Sequence, residues 1–391
     1  MIRAGLCAAA AAALLAAAPA GAQSVLASRG LGYPLEPLEA RSRGLGGITT
    51  GLAEPAPSLI NPASAAGIPA AGFIVAFQPD LYSATGSGVE TSGTTARFPL
   101  LLGVFPVSPR LAVQVGYGSY LDQHWQVQQT DSITLSTGRV EVNDRFISSG
   151  GIARLQGGVG YRVTERLSLG ASVDVFTGAA HDSTVREISG LQTAQSSVTY
   201  AYSGVSGGIG ARWQAGTAFS ASAALHGGGR LRAKADDDST VAATVKDYNT
   251  PLRADVGASA RLNPRTIVAA SASWTGWSSL DDELTGGARD ASSVTGGVEY
   301  TGLTFARKTV PLRLGARFAQ LPFRWSGAET AYPNERAVSA GAGWSFGGRA
   351  ALIDVAAERG WRGGSSAGID EPYWRFSLSF QVLGRSLRTS A

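Results

Sequence analysis

Three arginines have the residue type and the spacing to bind an acidic group. Arg313 and Arg317 alternate with apolar residues in one segment, and Arg375 alternates with Trp374 and Phe376 in another. In an extended strand, this alternation places the arginines on the face opposite their apolar neighbours. A guanidinium matches the two oxygens of a carboxylate. We therefore predict that Arg313, Arg317 and Arg375 bind the ligand.

The same residues also fit a structural role. Two more arginines and three carboxylates fall on the polar faces of strand-like segments: Arg253, Arg261, Asp255, Asp354 and Glu358. Charges in a confined lumen must be paired or solvated. An ion-pair network that braces the protein is thus the alternative to ligand binding, and the sequence leaves both open.

Residue patterns for catalysis or metal binding are weak in this chain. The three histidines are His124, His181 and His226, and no two of them have the spacing of metal ligands. No serine on a sharp turn between a strand and a helix accompanies them. The glycine cluster at 207–210 lies inside a strand pattern, so it is not a dinucleotide-binding loop. We predict no enzyme activity, no catalytic residue, no metal and no cofactor.

The elements that carry the arginines are alternating strands. The last one interleaves two sets of residues: Trp374, Phe376, Leu378, Phe380 and Val382 against Arg375, Ser377, Ser379 and Gln381. A period of two residues indicates a strand with one apolar face and one polar face. Many such strands after a secretory signal predict an all-β fold, a transmembrane antiparallel β-barrel in the bacterial outer membrane.

Short turns and long polar segments alternate along the chain, which is the layout of outer-membrane barrels. Together they predict about 14 strands, with both termini on the periplasmic side. We expect long extracellular loops at seven places: 79–96, 128–138, 179–196, 234–249, 278–292, 321–334 and 361–371.

Residues 1–22 have the layout of a secretory signal peptide. Arg3 supplies the positive charge, residues 4–15 are apolar, and Ala20-Gly21-Ala22 is a cleavage site of small residues. An uncleaved membrane anchor is the alternative. The single cysteine, Cys7, lies within this segment, so the mature chain is predicted to have no disulfide. The formal charge of +4 is too small to indicate a nucleic-acid partner.

Residues 23–70 do not alternate and are rich in Gly, Pro and Ala. They lie between the signal peptide and the first strand, so we expect them to start in the periplasm. Apolar residues such as Leu45, Ile48 and Leu59 argue against a solvated tail. A barrel of this size is also too wide for its own side chains to fill. We predict an N-terminal hatch at 23–70 in the lumen, the barrel at 71–383 and a periplasmic tail at 384–391.

Several motifs carry a family resemblance. In the N-terminal segment they are Gly44-Leu45-Gly46-Gly47, Leu52-Ala53-Glu54 and Asn61-Pro62-Ala63, and in the barrel they are the segments 161–170, 251–262, 273–277 and 335–341. Their order and spacing resemble the FadL/TodX family of outer-membrane transporters for long-chain fatty acids and other hydrophobic compounds. The resemblance covers nearly the whole mature chain. The chain departs from the family in running past Leu383 to Ala391 and in its modest loops.

The resemblance implies passive diffusion of a hydrophobic molecule, foremost a long-chain fatty acid, through a barrel gated by the hatch. The exit route leads either to the periplasm or sideways into the membrane. The implied hatch residues are Gly44, Gly46, Gly47, Asn61, Pro62 and Ala63. The turn at Asn61–Pro62 is either a pivot of the hatch or an ordinary tight turn. Aromatic hydrocarbons, lipids and quorum signals fit the same scheme.

Two other classes of protein remain open. One is a general diffusion porin, and the other is a structural barrel that anchors another complex. The long apolar N-terminal segment argues against an open pore. The expected partners are a hydrophobic ligand and outer-membrane lipid, and we expect a monomer without nucleic acid.

Overall fold

The computed structural model describes residues 24–53, 56–86, 89–135, 138–188, 193–236, 245–284, 287–305, 308–325, 331–346 and 351–384. The predicted signal peptide lies outside the described residues, as does the predicted C-terminal tail beyond residue 384. Among the described residues, no helix is both long and apolar enough to cross a membrane.

In this part of the chain, strands joined in one sheet dominate the fold. They are β1 (Tyr33–Pro34), β2 (Gly72–Gly86), β3 (Val89–Pro106), β4 (Leu111–Asp122), β5 (Trp125–Leu135), β6 (Gly138–Arg162), β7 (Leu167–Ile188), β8 (Ala194–Ala215), β9 (Phe219–Ala235), β10 (Val245–Asn249), β11 (Arg253–Asn263), β12 (Thr266–Thr275), β13 (Ala291–Phe305), β14 (Lys308–Gln320), β15 (Asn334–Phe346), β16 (Ala351–Gly364) and β17 (Ile369–Leu383). One short α-helix, α1 (Ala40–Gly44), and 3₁₀ helices at Val25–Ser28, Pro62–Ala65, Trp277–Glu283 and Ser365–Ala367 complete the described elements.

The sheet closes on itself as a barrel, because β17 pairs with β2. β4 and β5 both pair with β6 and are two halves of one interrupted strand, and β10 and β11 share β9 in the same way. β1 belongs to the N-terminal segment and pairs with the end of β4. When β1 is left out, and β4 with β5 and β10 with β11 are each counted as one strand, the described wall has 14 antiparallel strands. The predicted all-β barrel of about 14 strands is confirmed.

Exposure alternates along the strands as predicted. On β7, the side chain of Val173 is 57% exposed while Asp174 is fully buried, and on β14, Leu314 is 66% exposed beside Arg313 at 4%. The exposed outer positions are apolar because a charge there would cost about 2–4 kcal/mol at the bilayer midplane. The barrel therefore lies in the bacterial outer membrane, with its polar face toward the lumen.

The predicted extracellular loops are too long. Residues 79–96 and 179–196 are mostly strand, because β2 continues to Gly86 and β7 to Ile188. Beyond the bilayer neither face of a strand meets lipid, so the alternation of apolar and polar residues fades. The hydrogen-bond ladder between strands does not need that alternation and continues.

The N-terminal segment, residues 24–70, runs down the lumen from the extracellular end. Ser24 and Val25 bond Glu371 near the extracellular start of β17, at 2.9 and 3.0 Å. α1 then packs against β14–β17. The 3₁₀ turn at Pro62–Ala65 packs against β6–β8 before the chain enters β2. The expectation that this segment starts in the periplasm is wrong, because its first described residues bond and pack among extracellular strand ends.

Candidate functional site in the lumen

The predicted glycine turn lies directly against the barrel wall. Gly46 and Gly47 follow α1 with φ of +87° and +89°, a conformation that favours glycine. The backbone here approaches β14 so closely that a Cβ atom on Gly315 would overlap Leu45 and Gly46. The Gly46 N–H donates to Ser339 Oγ at 3.0 Å. Glycines on both sides of the contact allow the N-terminal segment to seat on the wall.

The second predicted hatch motif begins a short helical turn. Asn61 caps the turn at Pro62–Ala65, and its Oδ1 accepts from the Ala63 N–H at 3.0 Å. Its amide nitrogen donates to Thr50 Oγ1 and to the Ala211 carbonyl, each at 3.1 Å. Asn61 thus ties the N-terminal segment to itself and to β8. Its role as a pivot stays a prediction.

A buried ion-pair network surrounds two of the predicted ligand-binding arginines. We call it the seam network, because it lies beside the junction of β17 and β2. Arg375 Nη2 lies 2.9 Å from Asp80 Oδ2, and its Nη1 lies 3.3 Å from Glu358. Arg317 Nη2 contacts Glu335 and Glu358 at 2.9 and 3.0 Å. Each guanidinium therefore contacts two carboxylates.

The third predicted arginine belongs to a separate group. Arg313 Nε lies 2.6 Å from Glu299 Oε2, and its Nη1 lies 2.6 Å from Asp354 Oδ1. Arg41 of the N-terminal segment contacts Glu299 from the other side at 2.9 Å. This group links α1 to three wall strands. The ligand-binding role of Arg313, Arg317 and Arg375 stays a prediction, whereas their ion pairs fit the bracing role.

The remaining predicted charges and histidines occupy different places. Arg253 bridges Asp255 and Glu36, each at 2.7 Å, whereas Arg261 lies near the periplasmic turn and bonds the Thr217 carbonyl. His226 contacts Asp174 and the Ile60 carbonyl at 3.2 and 2.7 Å. The three histidines have separate partners: Asp122 for His124, Thr199 for His181 and Asp174 for His226. Among the described residues, no three His, Cys, Asp or Glu side chains form a metal-binding group.

A cavity of about 120 Å³ separates the N-terminal segment from the extracellular half of the wall. Arg43, Arg317 and Arg375 contribute to its polar side. Tyr120, Phe176 and Trp277 contribute aromatic rings; the first two of these rings pack with centroids 4.8 Å apart. Carboxylates such as Glu36 and Glu335 also line its polar side. A cavity with a charged part and an aromatic part can bind a small molecule that has a ring.

Arg43 is the residue of this site that sequence reasoning missed. It lies in α1, is 2% exposed, and donates from Nη2 to the Glu36 carbonyl at 2.8 Å. Its Nε and Nη1 are buried without a hydrogen-bond partner. Burial lowers the pKa of Arg43 to about 10, so the side chain is still charged at neutral pH. Glu36, Glu39 and Arg41 lie in the same stretch of sequence, so no sequence signal singled out Arg43.

A comparison with models of known protein families identifies the family of this chain. A family model described as BamG matches residues 1–234, more than half of the 391-residue chain. The chain belongs to the BamG family. Among curated proteins, no sequence match to this BamG-family chain is found.

Solved structures share its fold. A FadL homologue from Pseudomonas aeruginosa aligns with a TM-score of 0.61 at 17% identity, over 90% of this chain and 99% of that one. The toluene transporter TbuX of Ralstonia pickettii aligns with a TM-score of 0.60 at 17% identity, over 90% of this chain and 99% of that one. The toluene transporter TodX of P. putida aligns with a TM-score of 0.61 at 15% identity, also over 90% of this chain and 99% of that one. The BamG-family chain thus has the fold of FadL/TodX transporters, which confirms the predicted resemblance.

Proposed function

We propose that this BamG-family chain lets a small hydrophobic molecule cross the outer membrane, gated by residues 24–70 acting as a hatch. The cavity between this segment and the wall is the observation that carries the proposal. It lies at the extracellular half of the lumen, where a molecule from outside arrives first. The part of the N-terminal segment that is seated on the wall through Gly46 and Asn61 is the proposed block to further passage.

The size of the cavity favours a single aromatic ring. An apolar cavity of about 150 Å³ holds benzene, and this cavity is of the same order at about 120 Å³. A long acyl chain is several times larger and would require the hatch to move before it binds. Two of the structural neighbours, TbuX and TodX, are toluene transporters. We therefore propose single-ring compounds in preference to the long-chain fatty acids that the family resemblance implies.

The wall itself supports a lateral route out of the lumen. The ladder between β3 and β4 ends at Leu100 and Gly118, although β3 extends outward from there to Val89. Above that point β4 pairs instead with β1 of the N-terminal segment, Tyr33 opposite Asp122. Movement of this segment would uncover the edge of β4 and leave a gap toward lipid. This geometry fits exit into the membrane.

A structural barrel is the second candidate, and one observation favours it. The N-terminal segment contacts wall carboxylates through Ser24, Tyr33 and Arg41, at 2.7–2.9 Å. So many buried polar contacts favour a segment that stays in place. A general porin fits less well, because the N-terminal segment occupies the lumen.

Two assays separate these functions. The first follows entry of radiolabelled toluene into Gram-negative cells with and without the chain, since their lipopolysaccharide leaflet slows hydrophobic solutes. The second follows leakage of a small polar dye from liposomes that contain purified protein, intact or lacking residues 24–66. The folded fraction of each protein is measured by its mobility shift on heating.

Faster toluene entry together with dye retention by the intact protein would support the gated transporter. Dye leakage from the intact protein would instead indicate a porin. If the protein shows neither activity although its folded fraction is normal, the transport proposal is overturned and the structural barrel is favoured.

A further inference from the structure

Two arginines lie on the outer surface of the barrel, toward its extracellular end. Arg336 of β15 is exposed, and Arg359 of β16 is half-buried. Each follows a glutamate that is buried in the lumen, Glu335 and Glu358, so the alternation of a strand directs both arginines toward the outside. Neither guanidinium forms an ion pair with any other residue that the structure describes.

The position of both arginines along their strands is that of the outer membrane–water interface. Arg336 lies ten residues from Phe346, the periplasmic end of β15, and Arg359 lies eight residues from Ala351, the periplasmic start of β16. A tilted transmembrane strand crosses the bilayer in about 9–11 residues. Long arginine side chains near a membrane surface extend toward the headgroups. Both charges therefore reach the headgroups of the outer leaflet.

Aromatic rings hold one of these arginines in place. In the register of the sheet, Arg359 stands opposite Trp374, and Arg336 stands opposite Trp361. The Cζ atom of Arg359 lies 5.2 Å from the ring centroid of Trp361 and 5.3 Å from that of Trp374. A cation–π contact uses the face of a guanidinium, so the N–H groups at its edge remain available to an acceptor.

The two arginines are close enough to share one anion. Arg336 on β15 is the diagonal neighbour of Arg359 on β16, because Arg359 stands opposite Val338. Diagonal neighbours in a sheet are about 7–8 Å apart, which long side chains span. Asp370 lies further out on the same face and forms no ion pair with either arginine among the described residues. The pair therefore presents a net positive charge toward the membrane surface.

The surroundings of this pair favour a lipid as its partner. Toward the bilayer, the neighbouring outward positions are apolar and exposed: Phe318 at 43%, Val338 at 54% and Val355 at 47%. Acyl chains contact such positions in a membrane. The outer leaflet of a Gram-negative outer membrane is rich in phosphorylated glycolipid, and guanidinium binds phosphate through parallel hydrogen bonds.

We propose that Arg336 and Arg359 bind a phosphate group of lipid A in the outer leaflet, with its acyl chains against Trp361, Trp374 and Val338. The cations select for the phosphate, and the apolar positions select for the chains. The site lies on the outside of the barrel, so this inference goes beyond the proposed function and does not depend on which molecule crosses the lumen.

Lipid A with and without its phosphates forms a suitable pair of probes, because the two forms share sugars and acyl chains. Binding of each to the purified full chain in detergent is measured by native mass spectrometry, and binding of inorganic phosphate is measured separately. The double variant Arg336→Gln/Arg359→Gln removes both charges. A second double variant, Arg336→Lys/Arg359→Lys, keeps the charges without the fork.

Lys308→Gln is the matched control. Lys308 is also a cation beside two aromatic rings, with Nζ 5.9 Å from the ring centroid of Trp344 and 4.8 Å from that of Phe346. It lies at the opposite, periplasmic end of the wall, where β14 begins. The folded fraction of every variant is measured by its mobility shift on heating.

The double glutamine variant is expected to bind lipid A about 25-fold more weakly than wild type, because each cation at an anionic lipid surface contributes a factor of about five. The double lysine variant should retain part of the affinity, since an ammonium also binds phosphate. Lys308→Gln should retain all of it. Lipid A without phosphates should bind wild type as weakly as intact lipid A binds the double glutamine variant.

The proposal is overturned if wild type binds both forms of lipid A equally, because the apolar surface alone would then account for binding. Wild-type affinity in the double glutamine variant, or an equal loss in Lys308→Gln, would also overturn it. Binding of inorganic phosphate as tightly as lipid A would assign the two arginines to a free anion and overturn the lipid site. The comparison of the two lipid forms needs only the wild-type chain, so it decides the proposal even if a variant fails to fold.

Discussion

Arg375 and Asp80 pair across the seam that closes the barrel. They stand opposite each other in the register of β17 and β2, and Arg375 Nε and Nη2 lie 3.0 and 2.9 Å from the two carboxylate oxygens. The first and last strands of the wall are therefore held by a buried bidentate ion pair in addition to backbone hydrogen bonds. Such a pair fixes geometry, because removing either partner takes from the other its bidentate counter-charge and leaves a buried charge with only one ion pair, Glu358 for Arg375 and Arg97 for Asp80.

Replacing Asp80 should destabilise the barrel strongly. Asp80→Ala leaves Arg375 buried with one carboxylate fewer, and breaking a buried pair costs about 3–5 kcal/mol. We expect a lower urea midpoint for loss of the folded, heat-modifiable form. Asp144→Ala is the control, because its partner Arg186 is largely exposed, and such pairs contribute little. Similar midpoints for the two variants would contradict a special role of the seam pair.

The close approach of Gly315 to Gly46 predicts a leaky variant. Gly315→Val places side-chain atoms where the backbone of Leu45 and Gly46 now lies, so the N-terminal segment must shift away from β14. Liposomes with this variant should leak a small polar dye that the wild type retains. Gly157→Val is the control, because nothing lies within 4 Å of a Cβ atom there. Dye retention by a folded Gly315→Val barrel would show that the segment tolerates the displacement.

Arg317→Ala tests whether this arginine braces the barrel or binds the ligand. Its guanidinium contacts Glu335 and Glu358, so its removal leaves two buried carboxylates with fewer partners. We expect the folded fraction and toluene entry to fall together. Toluene entry that falls while the folded fraction stays constant would instead assign Arg317 to the ligand site.

His124 lies at the break between β4 and β5, and its ionisation predicts that the local stability of β5 depends on pH. A hydrogen bond to Asp122 raises the pKa of His124, so the folded chain favours the protonated imidazole. Its stabilising effect is complete below the ordinary histidine pKa of about 6.5 and is lost as pH rises through the higher folded value. Hydrogen exchange in β5, corrected for intrinsic rates, should therefore be slower at acidic pH. His124→Asn should remove this difference and His181→Asn should keep it; a difference that survives in His124→Asn would refute the link.

The alternation of residues was sufficient to predict the faces of the strands. Arg313 and Leu314 are neighbours in sequence, and their opposite orientations follow from the two-residue period of a strand. The lipid outside and the polar lumen inside impose that pattern wherever a strand crosses the bilayer. The same logic could not locate the strand ends at Gly86 and Ile188, because no lipid acts on them.

The sequence by itself determined the barrel, its approximate strand number and the presence of an N-terminal segment too apolar for a solvated tail. These are local properties, read from the period and composition of short stretches. Only the tertiary structure decided that Ser24 reaches Glu371, that Arg317 shares Glu358 with Arg375, and that Arg43 has no carboxylate partner among the described residues. These contacts join residues far apart in the chain, and the barrel's closure and stagger bring them together, which no local pattern encodes.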